Sequence, residues 1–377
     1  MSIAILFFLI SFNLILPEMN DFISKLGGND VKGFTIALFT VSAGLSRPFS
    51  GKLADYIGRK KVTIIGFSIA LIASLLYPIC SNLYFFLFIR FLHGFSAGFA
   101  PTGATALITD LVPSDKRGVA MGIFGVFISL GFGFGQGLST IVTDSLGING
   151  LFLVSSSLVI ISGLITQFVI ETLENPVPFK SELLIIKNSD ILEKNVLPVA
   201  IVMILSAFCS GIIFVMSPDV SELFNIKNKG SFFIYYALIT IITRIALGKI
   251  SDKIGRPQTI LIGMILLSFS MGLLAFSKNN DHFTFASIIF GLATGVSSPT
   301  IFAWTADLSP SDRRGVGAGT MFIALEMGIF LGSMSVNYTF NGKINGIFNG
   351  YILGVITSSL ASIYLIYYLI KRKGAKF

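Results

Sequence analysis

Charge is scarce in this chain. Asp, Glu, Lys and Arg make up 12% of its 377 residues, against roughly 25% in a soluble globular domain. With 53% hydrophobic residues and a mean hydropathy of +0.84, the chain carries more apolar surface than a water-soluble core can hide, so lipid is the solvent for most of it. Cysteine is nearly missing. Cys80 and Cys209 are the only two, and both lie inside apolar runs, which points to packing and carries no information about disulfides. Histidine is limited to His93 and His282. No His-Glu-x-x-His pair occurs, and no metal or other cofactor is expected. The nucleotide-binding pattern Gly-x-x-x-x-Gly-Lys-Ser/Thr is absent as well. Gly51-Lys52 is followed by Leu53, and Ser46 stands where the first glycine belongs. ATP hydrolysis is therefore not expected, and the chain does not read as an enzyme.

What is abundant is apolar sequence in long runs, with 37 Phe and 38 Gly. A spanning helix needs roughly 20 mostly apolar residues. Twelve such segments are expected, at 1–24, 32–54, 61–80, 83–109, 118–142, 148–170, 195–217, 231–250, 257–276, 283–306, 315–338 and 347–370. The first has neither a basic leader nor a small-residue cleavage site, so it reads as a span and not as a signal peptide. The fold class is an all-α membrane protein of 12 transmembrane helices. The polar stretch 171–194 separates an N-terminal bundle, 1–170, from a C-terminal bundle, 195–377, and reads as a cytoplasmic linker.

The net charge of +8 does not point to nucleic acid, because the basic residues sit in short loops between apolar runs. Eighteen Lys and Arg fall in one set of alternating loops and six in the other. The richer set is expected to be cytoplasmic, with both termini inside.

The two halves repeat. Arg47 to Arg59, with Gly51, Lys52, Asp55 and Gly58, reappears as Arg244 to Arg256, with Gly248, Lys249, Asp252 and Gly255, at an offset of 197 residues. The same offset of 197 maps Asp110-Leu-Val-Pro113-Ser-Asp115-Lys-Arg117-Gly118 onto Asp307-Leu-Ser-Pro310-Ser-Asp312-Arg-Arg314-Gly315, and Gly94 and Gly98 onto Gly291 and Gly295. Six spans separate equivalent points, so the halves share one membrane orientation. A parallel repeat of this kind places a substrate site near the midplane between halves.

Gly51-x-Leu-x-Asp55-x-x-Gly58-Arg59-Lys60 resembles the signature loop between helices two and three of the major facilitator superfamily, and its copy from Gly248 to Arg256 falls where that family has a second. The similarity covers the whole chain and is strongest to bacterial 12-helix drug and metabolite efflux permeases. It implies two parallel-repeat six-helix bundles, a monomer, a bacterial inner (plasma) membrane location, and a gating role for Gly51, Asp55, Gly58 and Arg59, with Gly248, Asp252, Gly255 and Arg256 as the second set. In that family the Asp of the loop is implied to lock the cytoplasmic gate. Here Asp55 would meet the start of the eleventh span near Gly315, and Asp252 the start of the fifth near Gly118.

Charges inside spans cost about 2.5–3.5 kcal/mol each on insertion scales, so the few present carry information. Arg90 sits too far from the cytoplasmic face to reach it, and Glu18 lies in a similar outer layer. The two could pair, as a structural ion pair or as a proton-coupling site. Arg90 and Gly94 also resemble the family's fourth-helix motif, with His93 where Gln is frequent. Glu326 falls mid-span. Desolvation favours its neutral form, which suits either a loadable proton site or a neutral acid bonded to a neighbouring helix. The proton-coupling candidates are Glu18, Arg90 and Glu326.

The family resemblance places the cavity on spans one, four, seven and ten. Its polar candidates are Asn13, His93, Gln136, Ser210, Tyr235, Thr294, Ser298 and Trp304, with Thr102, Ser206, Ser297 and Tyr236 beside them. Taken singly, each is as readily a packing residue. The Gly131-Phe-Gly133-Phe-Gly135-Gln136-Gly137 stretch keeps the glycines of an exporter motif and lacks its proline.

The expected function is secondary active transport of a small organic solute by alternating access, as proton-coupled efflux (antiport) of drugs or metabolites. Proton-coupled uptake of a sugar or small metabolite is the alternative. A membrane-embedded enzyme or a transport-dead sensor is more remote. Expected partners are the solute, protons and the lipid bilayer.

Overall fold

The computed structural model describes residues 1–112, 117–186, 191–247, 250–310 and 314–374. No strand occurs among them. Among the described residues, nine helices are long and apolar enough to cross a membrane. They include α1 (Ser2–Lys25), α3 (Arg59–Leu76), α4 (Leu83–Leu111), α7 (Leu197–Leu223), α9 (Arg256–Ala275), α10 (Asn280–Leu308), α11 (Arg314–Thr339) and α12 (Ile347–Gly374). The ninth lies within the run Arg117–Gln167, which breaks at Gly147 into α5 and α6. Gly147 has φ +70°, a left-handed conformation that glycine adopts without a Cβ penalty. Two more helices, α2 (Phe34–Ile57) and α8 (Ser231–Leu247), fill the remaining expected places. The helices thus coincide with the expected segments. The one difference in layout is that the fifth and sixth run together with a single-residue break, because only Gly147 leaves helical geometry.

Contacts divide the chain into two compact units, Met1–Ile191 and Leu192–Phe377. In the first, α1 packs on the α5–α6 run, α2 and α3 each pack on α4, and α3 also meets α6. In the second, α7 packs on α11, α8 and α9 each pack on α10, and α9 also meets α12. The duplicated sequence therefore folds into a duplicated packing order. Its crossings are repeated residue by residue. A Cβ on Gly94 would run into Phe39 and Ser42, and one on Gly291 into Tyr236 and Ile239, the same positions 197 residues on. Small residues are what allow helix backbones to approach this closely in a membrane.

The interhelical stretch after α6 is not a free linker. Val177 N–H donates to the Tyr56 carbonyl at 2.9 Å. Lys52 Nζ donates to the Ile185 carbonyl at 2.6 Å. Leu183 packs on the cluster of Leu53, Ala54, Ile57, Val62 and Phe99. Through residue 186 this segment belongs to the first unit, held by backbone hydrogen bonds and an apolar anchor that its polar composition does not reveal.

Candidate gating loops and buried polar clusters

The first signature loop is a turn between two helices. α2 ends at Ile57, Gly58 takes φ +121°, and α3 starts at Arg59. Arg59 then works in three directions. Its Nε donates to Asp110 Oδ2 at 3.0 Å, its Nη1 donates to the Ala54 carbonyl at 3.0 Å, and its Nη2 lies 3.5 Å from Asp55 Oδ1. Packing around the Asp55 carboxyl pushes its pKa above the ordinary aspartate value, Arg59 opposes this, and Asp110 adds to it. The side chain nonetheless remains 69% exposed, which leaves it available to other groups.

Glu171 completes the cluster. The N–H groups of Arg59 and Lys60 donate to its two carboxylate oxygens at 3.0 Å each. A carboxylate there satisfies the orphan donors of the first turn of α3 and complements the positive end of the helix dipole. Thr172 Oγ1 donates to Asp110 Oδ2 at 2.9 Å, tying the two acids together.

The second loop keeps the scaffold. Gly255 has φ +105°, and Arg256 Nε donates to Asp307 Oδ2 at 3.1 Å. Arg256 Nη1 donates to Ser251 Oγ at 2.6 Å, where the first copy uses the Ala54 carbonyl. Gly248 lies outside the described residues, as do the Asp252 side chain, Pro113 to Lys116 and residues 311–313. Gly51 has open space where a Cβ would go.

Two parts of these loops, Asp110 and Glu171, do not stand out in the sequence as loop residues. The repeat carried a signal for the first: Asp110 and Asp307 share the 197-residue offset with Arg59 and Arg256. Glu171 has no such signal, since its repeat partner is Tyr368.

Within the membrane part of the first unit, the expected Glu18–Arg90 pair does not form. Arg90 is fully buried. Its Nε donates to the Thr35 carbonyl at 2.7 Å, its Nη1 donates to the Tyr77 hydroxyl at 3.2 Å, and its guanidinium lies over the Phe39 ring at 4.9 Å. Glu18 is 6% exposed and accepts from Thr140 Oγ1 at 3.2 Å. The first expectation matched membrane depth, but α4 turns Arg90 toward α2 and α3, and facing decides partners. His93, also fully buried, places Nδ1 3.2 Å from the Tyr77 hydroxyl. Asn13 and Gln136 do meet, with Gln136 Nε2 donating to Asn13 Oδ1 at 3.2 Å across α1 and α5.

In the second unit, Thr294 and Ser298 line one seam. Thr294 lies 3.3 Å from Thr240, and Arg244 donates to Ser298 Oγ at 3.3 Å. Tyr235 points away from that seam and is 41% exposed. Its neighbour Tyr236 sits beside Thr240, Thr294 and Arg244 instead. Trp304 is buried edge-on against Tyr368 of α12, at 5.3 Å between ring centroids. Ser210 is half-buried in α7. Glu326 is buried in α11, at 8% exposure.

Comparison with known proteins gives a consistent result. The Major Facilitator Superfamily profile matches residues 1–333. A multi-drug resistance efflux pump PmrA homolog of Lactococcus lactis is 25% identical over 86% of this chain and 82% of its own length. An uncharacterized MFS-type transporter of Methanocaldococcus jannaschii is 24% identical, over 86% of each chain. The solved structure of the human organic anion transporter MFSD10 (TETRAN) shares the fold, with a TM-score of 0.74 and 17% identity over 97% of both chains. With the family profile covering most of the chain and the duplicated helical units matching its fold, this multi-pass membrane protein belongs to the Major Facilitator Superfamily of transporters.

Proposed function

We propose that this transporter exports small organic solutes, drugs or metabolites, in exchange for protons. The relatives named multidrug efflux pumps, at 24–26% identity, support export. The observation that carries the coupling is the burial of two carboxylates within spans, Glu18 at 6% and Glu326 at 8% exposure. A guanidinium stays charged at any physiological pH, so Arg90 does not carry the proton itself; a carboxylate does. Asp55 and Arg59 serve the cytoplasmic gate, and Asp252 and Arg256 serve its counterpart. Both termini on the cytoplasmic side fit the distribution of basic residues, and the family resemblance favours a monomer in the inner membrane.

The test uses everted vesicles with an imposed proton gradient, a pH-reporting dye and a panel of drugs, sugars and small acids. Compound-triggered collapse of the gradient is expected for the wild type and is expected to be lost in Glu326→Gln or Glu18→Gln. Full gradient-driven accumulation in both variants would exclude these carboxylates as the coupling sites. Uptake only in right-side-out vesicles would reverse the direction of transport.

A further inference from the structure

In the second unit α9 touches α10 where Gly263 packs on Ser297, and α12 where Gly354 packs on Met271. Beside these crossings the surface falls away into a groove of about 710 Å³, lined from α9, the start of α10 and α12. Gly272 opens onto it, and a Cβ there would meet no atom within 4 Å. The α9 residues that line the groove, among them Ile265, Phe269, Gly272 and Phe276, share one helix face. Ile265 and Phe276 are 11 residues apart. That is about 16 Å of helix, close to half of a roughly 30 Å hydrocarbon core, the depth of a single leaflet.

The body of the groove is apolar. Phe269, Phe276 and Phe285 are exposed along it. Its serines are satisfied within the protein: Ser268 Oγ lies 2.8 Å from Ser359 Oγ, and Ser362 Oγ donates to the Ser358 carbonyl at 3.1 Å. A polar solute would give up its hydration there for no new partner, whereas a hydrocarbon chain would not. The rim differs. His282, exposed in the first turn of α10, lines it, and Lys278 stands four residues earlier in the α9–α10 turn. Asp281 beside them offsets the lysine charge, so the rim offers donors to a phosphate ester without demanding a net negative headgroup. The repeat shows that these features are not general to the fold. Asn82 and Asn279 cap equivalent helices, so the offset of 197 holds here. At that offset the first unit has Leu75 for Gly272, Ser81 for Lys278 and Phe85 for His282.

We propose that the groove between α9, α10 and α12 binds one phospholipid, with an acyl chain laid along α9 past Gly272 and the phosphodiester held by Lys278 and His282. The lipid comes from the leaflet opposite the signature loops, because Arg256 and Phe276 flank opposite ends of α9. The site does not depend on the direction or the coupling of transport.

The full-length transporter, stripped of lipid in detergent, is given phosphatidylethanolamine or phosphatidylglycerol carrying a photoreactive acyl chain, and the crosslinks are mapped by mass spectrometry. Labelling concentrated on Phe269, Phe276 and Phe285 is expected with both lipids. Equal labelling of the exposed repeat positions Ile72, Ile79 and Phe88 would mean ordinary boundary lipid and overturn the proposal. Native mass spectrometry then follows titration with unlabelled phosphatidylglycerol. One lipid per chain is expected to bind the wild type, about tenfold more weakly in Gly272→Trp, which fills the groove, and about fivefold more weakly in Lys278→Ala. Unchanged binding in both variants counts against the site, as does a dimer that Gly272→Trp dissociates, since the groove would then be an interface between copies. The crosslinking needs no variant, so misfolding of Gly272→Trp does not shield the proposal.

Discussion

The signature loop occurs twice, and the two copies share their arginine–aspartate skeleton but not the acid on the helix N-terminus. Arg59 to Asp110 and Arg256 to Asp307 are near-identical bonds, 3.0 and 3.1 Å long, each following a glycine of positive φ. Around that core the copies diverge. The first adds Glu171 on the N-terminus of its helix and Thr172 on its aspartate. The second has Tyr368 at the repeat position of Glu171, and Gln258 instead crowds Gly255, its Oε1 buried without a partner. The shared arginine–aspartate bond belongs to the fold of the repeat. The acidic clamp is specific to the first copy.

Substitutions in the two loops can break this comparison, starting with the largest effect. Arg59→Ala leaves Asp110 and Asp55 without their cation and is expected to cost about 2–3 kcal/mol, as for bonds to charged groups. Arg256→Ala is expected to cost about 1 kcal/mol less, since its partner Asp307 is 53% exposed and surface pairs are weak. Denaturation in mixed micelles measures both, and equal losses would erase the distinction between the copies. Glu171→Ala should cost about 1–2 kcal/mol, the range for a lost helix cap, and slow transport in vesicles. If Glu171→Ala leaves stability and rate alone, the carboxylate is not part of the loop's machinery. Thr172→Ala should cost about 0.5–1 kcal/mol by the same assay, one neutral donor being lost. The smallest effect sharpens the comparison from the other side. Gln258→Glu places a carboxylate in the first turn of α9 and is expected to add about 0.3–1 kcal/mol; a loss there would mean that the second loop is not built to take an acid.

Much of this could be read from residues alone, for identifiable reasons. Long apolar runs fixed the helices, and the constant offset fixed the duplicated packing, down to Gly94 and Gly291. Partners across helices were harder. Arg90 and Glu18 matched in depth, yet Arg90 turned to Tyr77 and Thr35. These helices are apolar on nearly every side, so no polar stripe reports which face meets which neighbour. Tyr235 and Tyr236 show the same limit within one turn: adjacent in sequence, they point in different directions, and only Tyr236 joins the Thr240–Thr294 seam. Glu171 was hidden differently, in a stretch whose polarity reads as solvated linker.

The docking of residues 171–186 also bears on the ancestry of the chain. When a segment is duplicated in tandem, only the first copy has chain that must leave it to reach the next. Here that peptide braces the loop of the copy it leaves, with Glu171 as its tip. At the equivalent position of the second copy, Tyr368 lies within a helix. The peptide between the copies thus doubles as part of the first copy's loop, so a cut within 171–186 is expected to be felt at Arg59 and Lys60 as well as in the connection.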